Sequence, residues 1–139
     1  MRWGEEVKIK NVPELFRERV ERSYGKLAYK YKDKTGKWAE VTWGEMKKKV
    51  DSVATFLIKE GINKGDKIAV LSDTRPEWAI SDLAILSSGA TTVGLYPTLS
   101  PTQIEFLLNN SDSVMLFVEN KEKLDKVIEI KDKIPKIER

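Results

Sequence analysis

The sequence predicts an α/β fold: parallel βαβ units making a three-stranded core with helices on both faces, preceded by an N-terminal helix and a β-hairpin. Three observations predict it. From Lys67 onward, short apolar runs alternate with capped segments of helix length, the pattern of βαβ units with right-handed crossovers. Those runs, such as Ile68-Ala69-Val70-Leu71, are apolar without interruption, as in strands covered on both faces. The stretch from Leu27 to Thr42 instead alternates with period two around a glycine-containing loop, which is hairpin patterning.

Each element follows in order. Asn11 to Tyr24 reads as a short helix, with Pro13 in its first turn, Leu15, Phe16 and Val20 as its apolar side, and Gly25 as its stop. Leu27–Lys32 and Trp38–Thr42 are the hairpin strands, joined by Asp33-Lys34-Thr35-Gly36-Lys37. Thr42-Trp43-Gly44-Glu45 fits a capping box. Trp43, Met46, Val50, Val53, Ala54 and Leu57 then recur at helical spacing up to Glu60. Lys67–Ser72 is the first core strand. Thr74-Arg75-Pro76-Glu77 reads as a second capping box, opening a helix to about Ser88. Thr91–Tyr96 is the next strand. Ser100-Pro101-Thr102-Gln103 caps a helix carrying Ile104, Leu107 and Leu108, and Val114–Val118 is a buried strand. Asn120 caps a last helix whose inner side is read as Leu124, Val127, Ile128 and Ile130.

Composition narrows the chemistry. At 139 residues the chain has room for one domain with a real core. Hydrophobic residues make up 40% and charged residues 34%, a globular balance. Cysteine and histidine are both absent. That excludes disulfides, thiolate metal sites and serine–histidine catalysis within these residues. The 25 basic and 22 acidic side chains are interleaved, as in Glu5-Glu6-Val7-Lys8. Nucleic-acid binders carry a one-signed stripe instead, so no nucleic-acid partner is expected. Lys47-Lys48-Lys49 is the one dense basic run and reads as a solvated helix face. The opening residues carry no signal-peptide stretch, and no run reaches membrane-spanning length. A cytoplasmic location is expected, with Asn109-Asn110-Ser111 inert as a sequon.

Four stretches are candidates for chemistry. Ser87-Ser88-Gly89-Ala90-Thr91-Thr92-Val93-Gly94 has the composition of a phosphate loop but runs from helix to strand. A phosphate cradle needs the reverse order, because free amides lie at a helix N-terminus. It reads as a tight connection. Asp73 lies at a strand end, where open α/β sheets place binding residues, with a cap or turn role as the plainer reading. Arg75, Glu77 and Trp78 sit in the first turn of a helix and read as structural. Tyr96-Pro97-Thr98 follows another strand end and is the candidate substrate cleft, against a plain turn.

A resemblance accounts for the thin inventory. Gly61-Ile62-Asn63-Lys64-Gly65-Asp66-Lys67-Ile68-Ala69-Val70-Leu71 resembles the early segment of AMP-forming acyl-CoA synthetases, in the adenylate-forming superfamily. Arg75-Pro76-Glu77-Trp78-Ala79-Ile80-Ser81-Asp82-Leu83-Ala84-Ile85-Leu86 and Gly94-Leu95-Tyr96-Pro97-Thr98-Leu99-Ser100 sharpen it toward the long-chain fatty-acid–CoA ligase branch. Asn110-Ser111-Asp112-Ser113, Val12-Pro13-Glu14-Leu15-Phe16 and Thr42-Trp43-Gly44-Glu45-Met46 continue it in order.

The resemblance implies a parent enzyme that joins a fatty acid to AMP using ATP and Mg²⁺, then passes the acyl group to coenzyme A. The family's phosphate loop ending in Pro-Lys-Gly, its Tyr-Gly-x-Thr-Glu segment, its ribose-binding aspartate and its catalytic lysine have no match here. No catalytic, cofactor-binding or metal-ligating residue is therefore carried over. Residues 1–139 are expected to be a single N-terminal part of a larger AMP-binding domain, with helix, hairpin and helix over 1–60 and βαβαβα over 61–139. The implied partners are the remainder of the ligase chain and, through surface left uncovered, a second copy. The competing expectation is a stand-alone α/β module that binds a small molecule or a protein.

Overall fold

The structure is a computed structural model that describes residues 9–138. The expectations on the opening residues, their interleaved charges and the lack of a signal stretch, lie outside the described residues. The chain divides into two compact units, one ending at Lys48 and the other beginning at Lys49.

In the first unit, helix α1 (Val12–Ser23) is capped by Asn11, whose side chain accepts the Glu14 N–H at 2.9 Å. Phe16 and Val20 are buried, while Leu15 is exposed. Strands β1 (Leu27–Lys32) and β2 (Trp38–Thr42) pair antiparallel. The Asp33 carboxylate ties their loop by accepting from Thr35 and Lys37 N–H, and Gly36 supplies the positive φ of 81°. Helix α2 (Trp43–Lys59) opens with the capping box the sequence predicts: the Thr42 hydroxyl accepts the Glu45 N–H at 3.2 Å, and the Glu45 carboxylate accepts the Thr42 N–H at 2.8 Å.

The second unit carries the parallel sheet. Strands β3 (Lys67–Leu71), β4 (Thr91–Leu95) and β5 (Ser113–Val118) lie in the order β4-β3-β5, all parallel. Helix α3 (Pro76–Ser87) joins β3 to β4, α4 (Pro101–Ser111) joins β4 to β5, and α5 (Lys121–Glu129) follows β5. The first crossover steps one way from β3 and the second steps back past it. Crossovers of one hand that run in opposite directions place their helices on opposite faces. Two separate cores result. Ile68, Val70 and Met115 pack with Leu57, Ile62 and Ile85 on one face. Ala69, Leu71 and Leu95 pack with Ile104, Leu108, Val127 and Ile130 on the other. Alternate residues of β3 feed each core, which is why that strand is apolar at every position from Ile68 to Leu71.

Two expectations are corrected here. Thr74 does not cap α3: Arg75 is the N-cap, without a side-chain cap bond, and Pro76 holds the first turn. The helix starts one residue later than a Thr74 box requires, and Glu77 instead takes the Arg75 guanidinium at 2.7 Å. In α5 the inner side is Lys123, Val127 and Ile130, while Leu124 and Ile128 are exposed. The helix is rotated so that a lysine turns inward, which its two carboxylate partners permit. Helix α4 has a full capping box, with Ser100 N–H donating to the Gln103 side chain at 2.9 Å.

Candidate functional site at the carboxyl edge of the sheet

In open parallel sheets, ligands bind beyond the strands' carboxyl ends, where neighbouring strands send their following helices to opposite faces. Here α3 packs in one core and both α4 and α5 in the other, so β3 meets the condition with each neighbour, and charged side chains converge between β3 and β5. At this point lies a groove of about 220 Å³, lined by residues that include Ser72, Arg75, Trp78, Phe117 and Glu119. An apolar depression walled by Val53 and Phe56 shares Ser81 and Phe117 with it.

Charge at the groove is organised around Glu119. Its carboxylate accepts the Asp73 backbone N–H at 2.8 Å, the Arg75 guanidinium at 3.1 Å and the Lys123 ammonium at 3.0 Å. Lys123 also donates to Asp73 at 2.8 Å. Lys123 and Glu119 side chains are only 7% and 11% exposed, so this pairing is shielded from solvent. The Asp73 amide, then Lys123 and Arg75, hold the Glu119 carboxyl down to about 2 against the burial that opposes them. Donating to Asp73 and then to Glu119 raises the Lys123 ammonium. The Arg75 guanidinium lowers Glu77.

Three carboxylates (Asp73, Glu77, Glu119) and two cations (Arg75, Lys123) meet here, one net negative charge by count. Arg75 is engaged by two glutamates. These residues do not fit a triphosphate, which needs converging unpaired donors and positive charge. The serine–glycine–threonine stretch does not fit one either, because its amides are spent locally. Gly89 N–H bonds to Leu86 C=O, Ala90 N–H to Ile85 C=O, and Thr91 N–H to Asp66 C=O. Among the described residues, no group of three acidic side chains is placed to hold a metal ion. No described helix is long and apolar enough to cross a membrane.

Asp73 does not cap α3, whose N-cap is Arg75; it lies in the loop after β3 and pairs with Lys123. Arg75, Glu77 and Trp78, read as structural, line the groove. Tyr96-Pro97-Thr98 forms a turn after β4, closed by Leu99 N–H to Tyr96 C=O at 3.2 Å, with Tyr96 78% exposed. It is on the same edge of the sheet, beyond β4 rather than between β3 and β5. Glu119 and Lys123 were missed from sequence. The signal was present: Lys123 stands four and seven residues before Val127 and Ile130, on the apolar stripe, and Glu119 stands four residues before it. A lysine on a core-facing stripe requires a carboxylate.

Comparison with known proteins shows the family by sequence and the fold by superposition. The model of the AMP-binding enzyme family matches residues 16–139. Long-chain-fatty-acid–CoA ligase FadD15 of Mycobacterium bovis is 39% identical over 100 residues, covering 72% of this chain and 17% of that protein. Fatty acyl-CoA synthetase A of Dictyostelium discoideum is 35% identical over 89 residues, covering 62% and 13%. The anthranilate CoA ligase AuaEII, solved with anthranoyl-AMP, superposes with a TM-score of 0.86 at 22% identity, over 100% of this chain and 26% of that one. The N-terminal domain of FACL13 from Mycobacterium tuberculosis does so at 0.83 and 23%, over 94% and 33%. The chain spans less than a fifth of the length of these two curated relatives. With a family model matched from Phe16 to the last residue and the fold superposed in full, the chain belongs to the AMP-binding enzyme family.

Proposed function

We propose that this chain is the N-terminal segment of a long-chain fatty-acid–CoA ligase, supplying scaffold to a larger AMP-binding domain. The parent reaction joins a fatty acid to AMP from ATP, releases pyrophosphate, and transfers the acyl group to coenzyme A. ATP, Mg²⁺ and coenzyme A are needs of that parent. The observation that carries this reading is the 39% identity to a fatty-acid–CoA ligase across 72% of the chain. The chain's own contribution is geometric: the sheet and its carboxyl edge, with the Tyr96-Pro97-Thr98 turn and the Arg75–Glu119 groove facing the remainder of the ligase. A cytoplasmic location and the lack of a nucleic-acid partner accompany the reading. So does self-association through sheet edges that the remainder of the ligase otherwise covers.

The test is fatty-acid-dependent ATP–pyrophosphate exchange. The chain alone gives no signal, because its charged groups at the groove are already paired. A chimera in which it replaces the matching segment of FadD15 exchanges. A chimera that folds but never exchanges refutes the reading and favours a stand-alone module. Light scattering across a concentration series checks association: mass rises above 15.9 kDa with concentration if the edges pair, and stays there if they do not.

A further inference from the structure

We infer that Glu119 is a positioning residue: its carboxylate ties the β3–α3 loop to the end of β5 and so fixes the Arg75 and Trp78 wall of the carboxyl-edge groove, where the apolar part of an acyl substrate lies. Besides Glu119, the loop is held by the Lys123 bond to Asp73 and, at its helix end, by Trp78 packing on the first core. Asp73 and Thr74 are exposed. The Ser72 hydroxyl donates to the C=O of its neighbour Asp73 at 2.8 Å, and the Arg75 C=O serves the helix start through Trp78 N–H. The reach across to β5 is made by Glu119, with one oxygen on Arg75 and the other on the Asp73 amide and Lys123. Glu119 is itself anchored, because its N–H donates to the Leu71 C=O at 3.1 Å. Lys123 closes the ring by bonding Asp73 as well. A largely shielded carboxylate with charged donors on both oxygens is held in one geometry.

The occupant follows from the lining. Val70, Trp78, Phe117 and Val118 present apolar surface, and the charged groups beside them cancel to one net negative. Such a groove repels nucleotide and coenzyme A phosphates and accepts hydrocarbon. This part rests on the ligase reading above; the tie itself does not.

Amide hydrogen exchange on this chain tests the tie. In Glu119→Gln the Asp73 amide accelerates at least tenfold more than the β4 and α4 amides do. Unchanged Asp73 exchange overturns the inference, as does uniform acceleration of every amide. The same substitution in the FadD15 chimera tests the consequence. KM for a long-chain fatty acid rises at least threefold, with KM for ATP and kcat within twofold. An unchanged fatty-acid KM, or a proportionate loss of kcat with thermal stability, overturns it. If the unsubstituted chimera is inactive the ligase reading fails, and amide exchange still decides the role of Glu119.

Discussion

Replacing Ile104 by alanine probes the second core at one point. Ile104 is fully buried on α4, packed with Leu71, Leu95, Leu108 and Val127. The change removes three carbons, worth about 2.4 kcal/mol at ~0.8 kcal/mol per buried methylene. The void adds up to about 2 kcal/mol if nothing relaxes into it. Alanine's better helix propensity returns about 0.4 kcal/mol. The expected loss is therefore about 2–4 kcal/mol. With a urea slope of about 2 kcal/mol/M, the unfolding midpoint falls by roughly 1–2 M and the slope is unchanged. Phe106→Ala on the same helix is the control: Phe106 is 64% exposed, so its loss stays within about 0.5 kcal/mol. Circular dichroism and tryptophan fluorescence report both. An Ile104 variant within 1 kcal/mol of the parent, or a Phe106 variant as damaged as Ile104, refutes the assignment of α4's faces.

Three further outcomes are expected. Ser100→Ala breaks the α4 capping box and lowers unfolding free energy by about 1 kcal/mol in the same assay. Gly89→Ala costs about 1 kcal/mol from backbone alone, since φ is +88° and a Cβ would meet nothing nearer than 3.6 Å, whereas Gly25→Ala, with open space and no positive φ, is neutral or slightly stabilising. Glu119 is depressed to about 2 from an ordinary 4.5, so its contribution is complete above pH 4.5 and lost as pH falls toward 2. The stability gap between the parent and Glu119→Gln is accordingly widest near neutrality and closes on acidification, as acid titrations of both would record.

Secondary structure was legible because local chemistry and tertiary demand agree in most elements. Thr42 with Glu45, Ser100 with Gln103, and Asn120 announce helix starts that the fold uses. The start of α3 was misread because a Thr-x-x-Glu spacing is only a box if its first residue is the N-cap; proline's fixed φ moves the start to Pro76. The site was less legible. Its members come from residues 72–81 and 117–123, and only strand order brings them together. Nothing local says that charged side chains converge between β3 and β5 rather than beyond β4, so the Tyr96 turn was the candidate cleft read from sequence. The rotation of α5 depends on partners for Lys123 that are 50 residues away in one case and four in the other.

The central place of β3 has a consequence for how the chain is made. Both neighbours of β3 come after it in sequence: β4 begins 24 residues later and β5 46 residues later. A ribosome adding about 5–20 residues per second releases the most buried of the described strands seconds before its second partner exists. The β1–β2 hairpin, by contrast, closes within microseconds of emerging. In that interval Ile68-Ala69-Val70-Leu71 offers two open edges to whatever is near, and the one charge it carries is Lys67 at its start. Crowded synthesis therefore selects at this strand for a chaperone's attention, and a slower codon run before β3 is less harmful to yield than one between β3 and β5.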